Sequence, residues 1–195
     1  MPSGRRSPAR AIEARERLLA ATLRCAQRDG GSAVSLQSIA AEAEVSKALV
    51  LYHYRDKEAL LATTIRWLSD RIVSREFAML EASTSSSVLE DYWQGLEDEL
   101  ASGELRVLLE LSQERGEESR AAIATSARRR QETAEQTVSR VFALLGLAPR
   151  VSPALLASCE LAFREGLVLW SSQRPERNAR VAFDVFWLSL LSLAR

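Results

Sequence analysis

Between Ser35 and Glu58 the chain reads SLQSIAAEAEVSKALVLYHYRDKE, two short helical patterns separated by only a few residues. The first opens at Ser35, whose hydroxyl can cap a helix N-terminus, and places Leu36, Ile39, Ala40 and Ala43 on one apolar face. The second opens at Ser46 and carries Val45, Leu49, Val50 and Tyr52, before Asp56 caps a further helix. Neither segment is long enough to bury a core of its own. Whatever surrounds them must hold them as a pair.

Two short, sharply started helices joined this way have the outline of a helix-turn-helix, in which the first helix props the second and the second presents its N-terminal residues to a DNA groove. The presenting helix would be Lys47 to Tyr54. At these residues the segment IAAEAEVSKALVLYHYRDKEALL resembles the DNA-binding signature of the tetracycline-repressor (TetR) family, through Ile39, Ala40, Val45, Ser46, Lys47, Tyr52, His53, Lys57, Glu58 and Leu60. The tyrosine-histidine-aromatic run followed by a lysine-glutamate pair is much rarer than a bare helix-turn-helix pattern.

The chain also departs from that pattern. Glu44 stands where a turn glycine is usual, so the backbone there either avoids positive φ or carries strain. Ala48 and Leu49 replace a frequent glycine-threonine pair. Leu49 is then a candidate for a thymine methyl or for the core. Ala26 and Gly31 stand where the family commonly has aromatic residues, and their joint loss suggests mutual compensation, since a single missing ring would leave a cavity costing about 3–5 kcal/mol.

The 195 residues include five prolines and eight glycines and show no strand-like alternation, so the fold class is all-α: a helix-turn-helix domain followed by a helical ligand-binding and dimerisation domain. The expected division is a basic arm at 1–11, the DNA-binding domain at 12–58 and the second domain at 59–195. Net charge is zero, which argues against a general polyanion binder. Residues up to Glu58 nevertheless hold ten Lys/Arg against seven Asp/Glu, a small basic excess where DNA contact is expected. Cys25 and Cys159 lie far apart on apolar helical patterns and read as buried thiols of a cytoplasmic protein. One histidine, two scattered cysteines and no glycine-rich phosphate loop argue against an enzyme; no catalytic residue, metal or cofactor is expected.

Met1 to Ala11, with Arg5, Arg6 and Arg10, reads as a solvated tail or as an arm for a minor groove. A long helix from Asp56 links the head to the remainder. Farther on, the segment Glu117 to Leu145 places Arg120, Ala124, Ala127, Gln131, Ala134, Val138, Val141 and Leu145 on its inward face, with Arg128, Arg129 and Arg130 mostly outward. Small residues there, opposite Trp67, Tyr92 and Trp93, mean either tight packing or a ring-lined cavity anchored by Gln131. Trp67, Arg71, Tyr92, Trp93, Leu96, Ala127 and Gln131 are the candidate ligand residues. The chain closes with two apolar helices, about 154–172 and 176–193. The resemblance implies that such a pair forms a four-helix bundle across a two-fold axis. Phe163, Leu167, Trp170, Phe183, Phe186, Trp187 and Leu190 are the candidate interface.

The resemblance implies a ligand-responsive transcriptional regulator. It would bind a pseudo-palindromic double-stranded DNA operator as a homodimer and be released, as a repressor, by a small effector of apolar or aromatic character. Ser35, Ser46, Lys47, Leu49, Val50, Tyr52, His53 and Lys57 are the candidate DNA contacts, the cationic and polar ones positioning the head on phosphates and Leu49 and Val50 offering apolar contact to bases. A helical dimer that has lost specific DNA binding and works as a protein adaptor is the alternative. No membrane partner is expected, because no apolar run is long enough to span a bilayer.

Overall fold

The computed structural model describes residues 8–173 and 178–194, all of them helical or in short connections. The helices are α1 (Pro8–Asp29), α2 (Leu36–Glu42), α3 (Lys47–His53), α4 (Lys57–Ala82), α5 (Val88–Ser102), α6 (Glu104–Leu111), α7 (Glu117–Leu144), α8 (Pro153–Gln173) and α9 (Ala179–Leu191). The protein is all-α. Arg5 and Arg6 of the expected arm lie outside the described residues, and so does Glu176. Because α1 already begins at Pro8, Arg10 is helical rather than part of an arm reaching Ala11.

The chain divides into two compact units. One comprises the residues up to Trp67 with Glu110–Ile123; the other comprises Leu68–Leu109 with Ala124–Arg195. In the first, α1 is tied to α2 by Arg24 and Arg28, which pair with Glu42 at 2.6 and 2.8 Å. Arg17 donates to the Ala43 carbonyl at 3.1 Å, where α2 ends. The start of α7 is fastened to the start of α4, because the Glu118 backbone N–H donates to Glu58 at 2.8 Å.

The compensation expected at Ala26 and Gly31 has a visible counterpart. Gly31 is buried, its N–H donates to Glu110 at 2.8 Å, and a β-carbon added there would lie 3.1 Å from Glu110 Cβ and 3.3 Å from Leu111. Residues of α6 therefore occupy the space that a ring at position 31 would need.

In the second unit Tyr92, Trp93 and Leu96 of α5, Val138, Val141 and Phe142 of α7, and Phe183, Trp187 and Leu190 of α9 form one apolar core. Its rings meet edge-on or tilted: Tyr92 and Trp187 centroids are 5.2 Å apart, Trp93 and Phe183 5.3 Å. Such aromatic contacts add about 0.5–1.5 kcal/mol each beyond the area they bury.

Two helices present faces other than those the apolar pattern suggests. On α7 the buried positions are Ser119, Ala122, Ser126, Arg130, Thr133, Ala134, Thr137, Val138, Val141 and Phe142, whereas Arg120, Ala124 and Ala127 are exposed. The first half of the helix is thus rotated by about one residue, and Arg130 is buried against Glu165 instead of facing outward. On α8 the apolar stripe through Leu155, Cys159, Ala162 and Gly166 is solvent-facing. Glu160 and Arg164 point inward with Leu156, Ala157, Leu167 and Val168. Cys159 is therefore an exposed thiol, and only Cys25 is buried. In both helices a paired charge lies inside, which apolar periodicity cannot anticipate.

Candidate nucleic-acid interface and ligand cavity

Within the first unit, α2 and α3 start and stop on local hydrogen bonds. Ser35 Oγ accepts the Ser38 N–H at 3.1 Å while the Ser35 N–H donates to Ser38 Oγ at 3.0 Å, a reciprocal cap. Ser46 Oγ accepts the Leu49 N–H at 3.2 Å and opens α3. Each such cap stabilises its helix by about 1 kcal/mol, which matters for helices of seven residues.

Between them, Glu44 adopts φ 55°, the left-handed conformation that glycine tolerates best. The Val45 N–H reaches back to the Ala40 carbonyl at 2.9 Å and the Glu44 N–H to Ala41 at 3.1 Å, closing the end of α2. The turn thus keeps its geometry at the cost of strain of about 1–2 kcal/mol. Glu44→Gly is expected to raise the urea midpoint by about 1 kcal/mol of stability; a lower midpoint would show that the left-handed turn is not strained.

Presentation along α3 follows from its three-to-four residue period. Val50 is fully buried, so it belongs to the head's core and not to a base-contacting surface, and Tyr54 is buried as well. The Tyr54 hydroxyl donates to the Arg15 carbonyl at 3.4 Å, with the Arg15 guanidinium 5.2 Å from its ring centre. Lys47, Ala48, Leu51 and Tyr52 are exposed, Tyr52 at 76%. Leu51 is therefore an outward apolar group that the sequence pattern passed over. Leu49 and His53 are half-buried, His53 standing edge-on to Tyr52 at 5.1 Å. Ser35 and Ser46 are exposed and Lys57 half-buried. Asp56 caps α4 by accepting the Ala59 N–H at 2.8 Å; that bond, with Arg55, holds its carboxyl below the usual range.

Within the second unit, a cavity of about 530 Å³ lies between α4 and α5. Ile72, Ala78, Met79, Tyr92, Gly95 and Leu96 give it an apolar wall, and Glu76, Glu99 and Arg164 a charged one. Of the expected ligand residues, Tyr92 and Leu96 line it. Trp67, Arg71, Trp93, Ala127 and Gln131 do not: Trp67 belongs to the other unit, Trp93 is in the core, and Ala127 is exposed by the rotation of α7. Arg71 bonds Glu104 at 2.8 Å, and Gln131 donates to the Ala154 carbonyl at 3.1 Å.

The charged wall is held by one hydrogen-bonded cluster, with a second buried pair, Tyr92 and Glu160, beside it. Arg164 donates to both oxygens of Glu99, at 2.6 and 3.0 Å, and to Glu76 at 2.7 Å. Thr137 donates to the other oxygen of Glu76. The Tyr92 hydroxyl donates to Glu160 Oε1, and Glu160 Oε2 has no hydrogen-bond partner among the described residues. Burial opposes the charge on Arg164, but Glu99 and Glu76 hold it protonated well above its ordinary value. Burial, against the pull of Arg164, pushes Glu160 up to about 7. Burial also raises the Tyr92 phenol well above its ordinary value.

A third feature is the outer face of α8 and α9. Val181, Val185 and Leu188 recur at helical spacing and are 56%, 60% and 69% exposed. Beside them Phe163 stacks flat on Phe186 at 4.1 Å, and Trp170 borders the same groove. Leu167, Phe183, Trp187 and Leu190, expected at an interface, are instead buried in the core.

Residues 18–64 match the family model of bacterial regulatory proteins of the tetR family. Over this segment the chain resembles that family. The TetR match runs from Leu18 in α1 to Thr64 in α4 and so covers α2, α3 and the strained turn between them. No curated protein matches the chain in sequence. Among solved structures, a TetR transcription regulator from Haloarcula marismortui is similar with a TM-score of 0.75 at 17% identity, over 94% of this chain and 100% of that one. FadR from Bacillus subtilis in complex with stearoyl-CoA gives a TM-score of 0.69 at 12% identity, over 90% and 97%. SmeT in complex with triclosan gives 0.68 at 18% identity, over 91% of each. At these identities the likeness is one of fold. No described helix of the chain is long and apolar enough to cross a membrane.

Proposed function

We propose that this chain is a ligand-responsive regulator of the TetR family that binds a pseudo-palindromic operator as a homodimer and, as a repressor, is released by a small effector. The observation that carries the reading is the capped α3, which buries Val50 and Tyr54 and presents Lys47, Ala48, Leu51 and Tyr52 outward on the matched segment. Apolar contact to bases falls to Ala48, Leu51 and Tyr52, with Leu49 at the edge, while Ser35, Ser46, Lys47, His53 and Lys57 position the head on phosphates. A dimer presents two such helices to half-sites about 34–36 Å apart.

Support for an effector comes from the cavity's size, within the range of about 300–1,000 Å³ usual for small-molecule sites, and from stearoyl-CoA and triclosan bound to two proteins of this fold. Helices α4 and α7 each continue from the head's unit into the unit that holds the cavity. An effector that favours one placement of these helices lowers operator affinity, and operator must lower effector affinity by the same factor.

Selection of bound DNA from a random pool, repeated at two salt concentrations, tests the reading. A palindromic motif with affinity falling steeply in salt is expected. Enrichment of no motif by a folded dimer would favour the adaptor reading. On the selected site, Lys47→Ala should weaken all sequences alike, whereas Leu51→Ala should alter base preference at one position per half-site by roughly 1–3 kcal/mol.

For the dimer, the outward stripe of α9 is the proposed contact. Leu188→Glu should convert the dimer to monomer in sedimentation while leaving helicity intact, because its side chain is 69% exposed in the single chain. An unchanged mass would place the interface elsewhere.

A further inference from the structure

We infer that the effector of the α4–α5 cavity is an organic cation with an apolar body. This rests on the effector reading above and adds the charge of the ligand. The buried charges do not balance: Glu76, Glu99 and Glu160 are 7%, 4% and 1% exposed, and the guanidinium buried among them is that of Arg164 alone. Arg164 is fully engaged by Glu76 and Glu99. Glu160, one residue behind the cavity wall, keeps an oxygen with no partner among the described residues, a costly arrangement that a nearby positive charge would relieve.

The wall itself repeats the excess. Its other cation, Arg75, is drawn off by Glu104 at 2.6 Å, while Asp91 and Asp98 add two further carboxylates. Between the two acidic layers stands the Tyr92 ring, whose hydroxyl donates to Glu160. A phenol bonded to a carboxylate has a more electron-rich face, which attracts a cation over the ring. Ile72, Met79 and Leu96 supply apolar surface for the rest of the ligand. An anion of the same shape would meet four carboxylates of the wall and both its guanidiniums already paired.

The test uses two ions of the same size and opposite charge, tetraphenylphosphonium and tetraphenylborate, titrated calorimetrically into the full chain at pH 6 and pH 8. Ionisation of Glu160 across this range is set by Arg164 on its own helix, Tyr92 and Glu99 on α5 and Glu76 on α4. The cation should bind at least about tenfold tighter than the anion at pH 8, with a smaller preference at pH 6. In Glu160→Gln, which keeps an acceptor for Tyr92, that pH dependence should vanish.

Gly95→Trp separates the two ways of failing. Gly95 lines the cavity and a β-carbon there meets no atom within 4 Å, so the backbone accepts a side chain at the cavity wall; unchanged helicity of the variant checks that the fold is kept. Cation binding lost in this variant supports the inference. Anion binding that is equal or tighter, and lost in Gly95→Trp, overturns the cation class but keeps the cavity as the effector site. Binding that survives the variant, or no binding of the cation, overturns the inference.

Discussion

Arg164→Met lowers the stability of the protein by about 3–5 kcal/mol at neutral pH, the largest effect expected from any single substitution described here. The reason is what the change leaves behind rather than what it removes. Methionine fills most of the arginine's volume, but Glu76 and Glu99 lose the donors at 2.6 to 3.0 Å and remain buried as uncompensated carboxylates. Glu76 retains only the hydroxyl of Thr137. Urea unfolding followed by circular dichroism measures the loss. A loss below about 1 kcal/mol at pH 7 would mean that water reaches the network, and the low-dielectric account of the cavity wall would then be wrong.

Glu160→Gln acts in the opposite direction and only above a certain pH. In the folded protein the carboxyl is held up to about 7, against 4.5 for an ordinary glutamate. Between these values the folded state binds more protons than the unfolded chain, so Glu160 lowers stability progressively as pH rises from about 4.5 to about 7, and the whole penalty stands above that. Removing the charge should therefore stabilise the protein by roughly 3 kcal/mol at pH 8 and by almost nothing at pH 4.5. Thermal unfolding of both proteins across pH 4.5 to 8 gives the difference curve. A gain that is constant across this range would trace to packing, and a loss at pH 8 would show that the carboxylate is stabilised by a partner. A group that costs stability at neutral pH beside a cavity is a reasonable place to look for function.

The two substitutions bear on one helix. Along α8 the apolar residues make a clear stripe, and the natural inference is that the stripe packs inward. In the folded chain it is Glu160 and Arg164 that enter the core, and Leu155 and Leu169 that stay exposed. Helix α9 shows the same ambiguity in another form. Phe183, Trp187 and Leu190 and, displaced around the helix, Val181, Val185 and Leu188 are both apolar sets at helical spacing. Periodicity identifies both faces; only the neighbours decide which is covered within the chain and which is left for a partner.

What the sequence determined by itself is everything governed by local chemistry. Ser35, Ser46 and Asp56 open α2, α3 and α4 because a side-chain oxygen three residues before a backbone N–H caps it whatever surrounds the helix. The rare run around Tyr52 and His53 identified the head for a similar reason, since it is a property of adjacent residues. Even the odd glutamate at the turn was visible, and tertiary structure only decided that Glu44 takes the strained φ of 55° and does not avoid it. The cavity lay beyond such reading. Its charged wall and the groups behind it bring together Glu76, Glu99, Thr137, Glu160 and Arg164 from four helices, and each looks in isolation like a solvated polar residue. A buried charge is recognised by its partner, and the partner is chosen by packing between helices far apart in the chain.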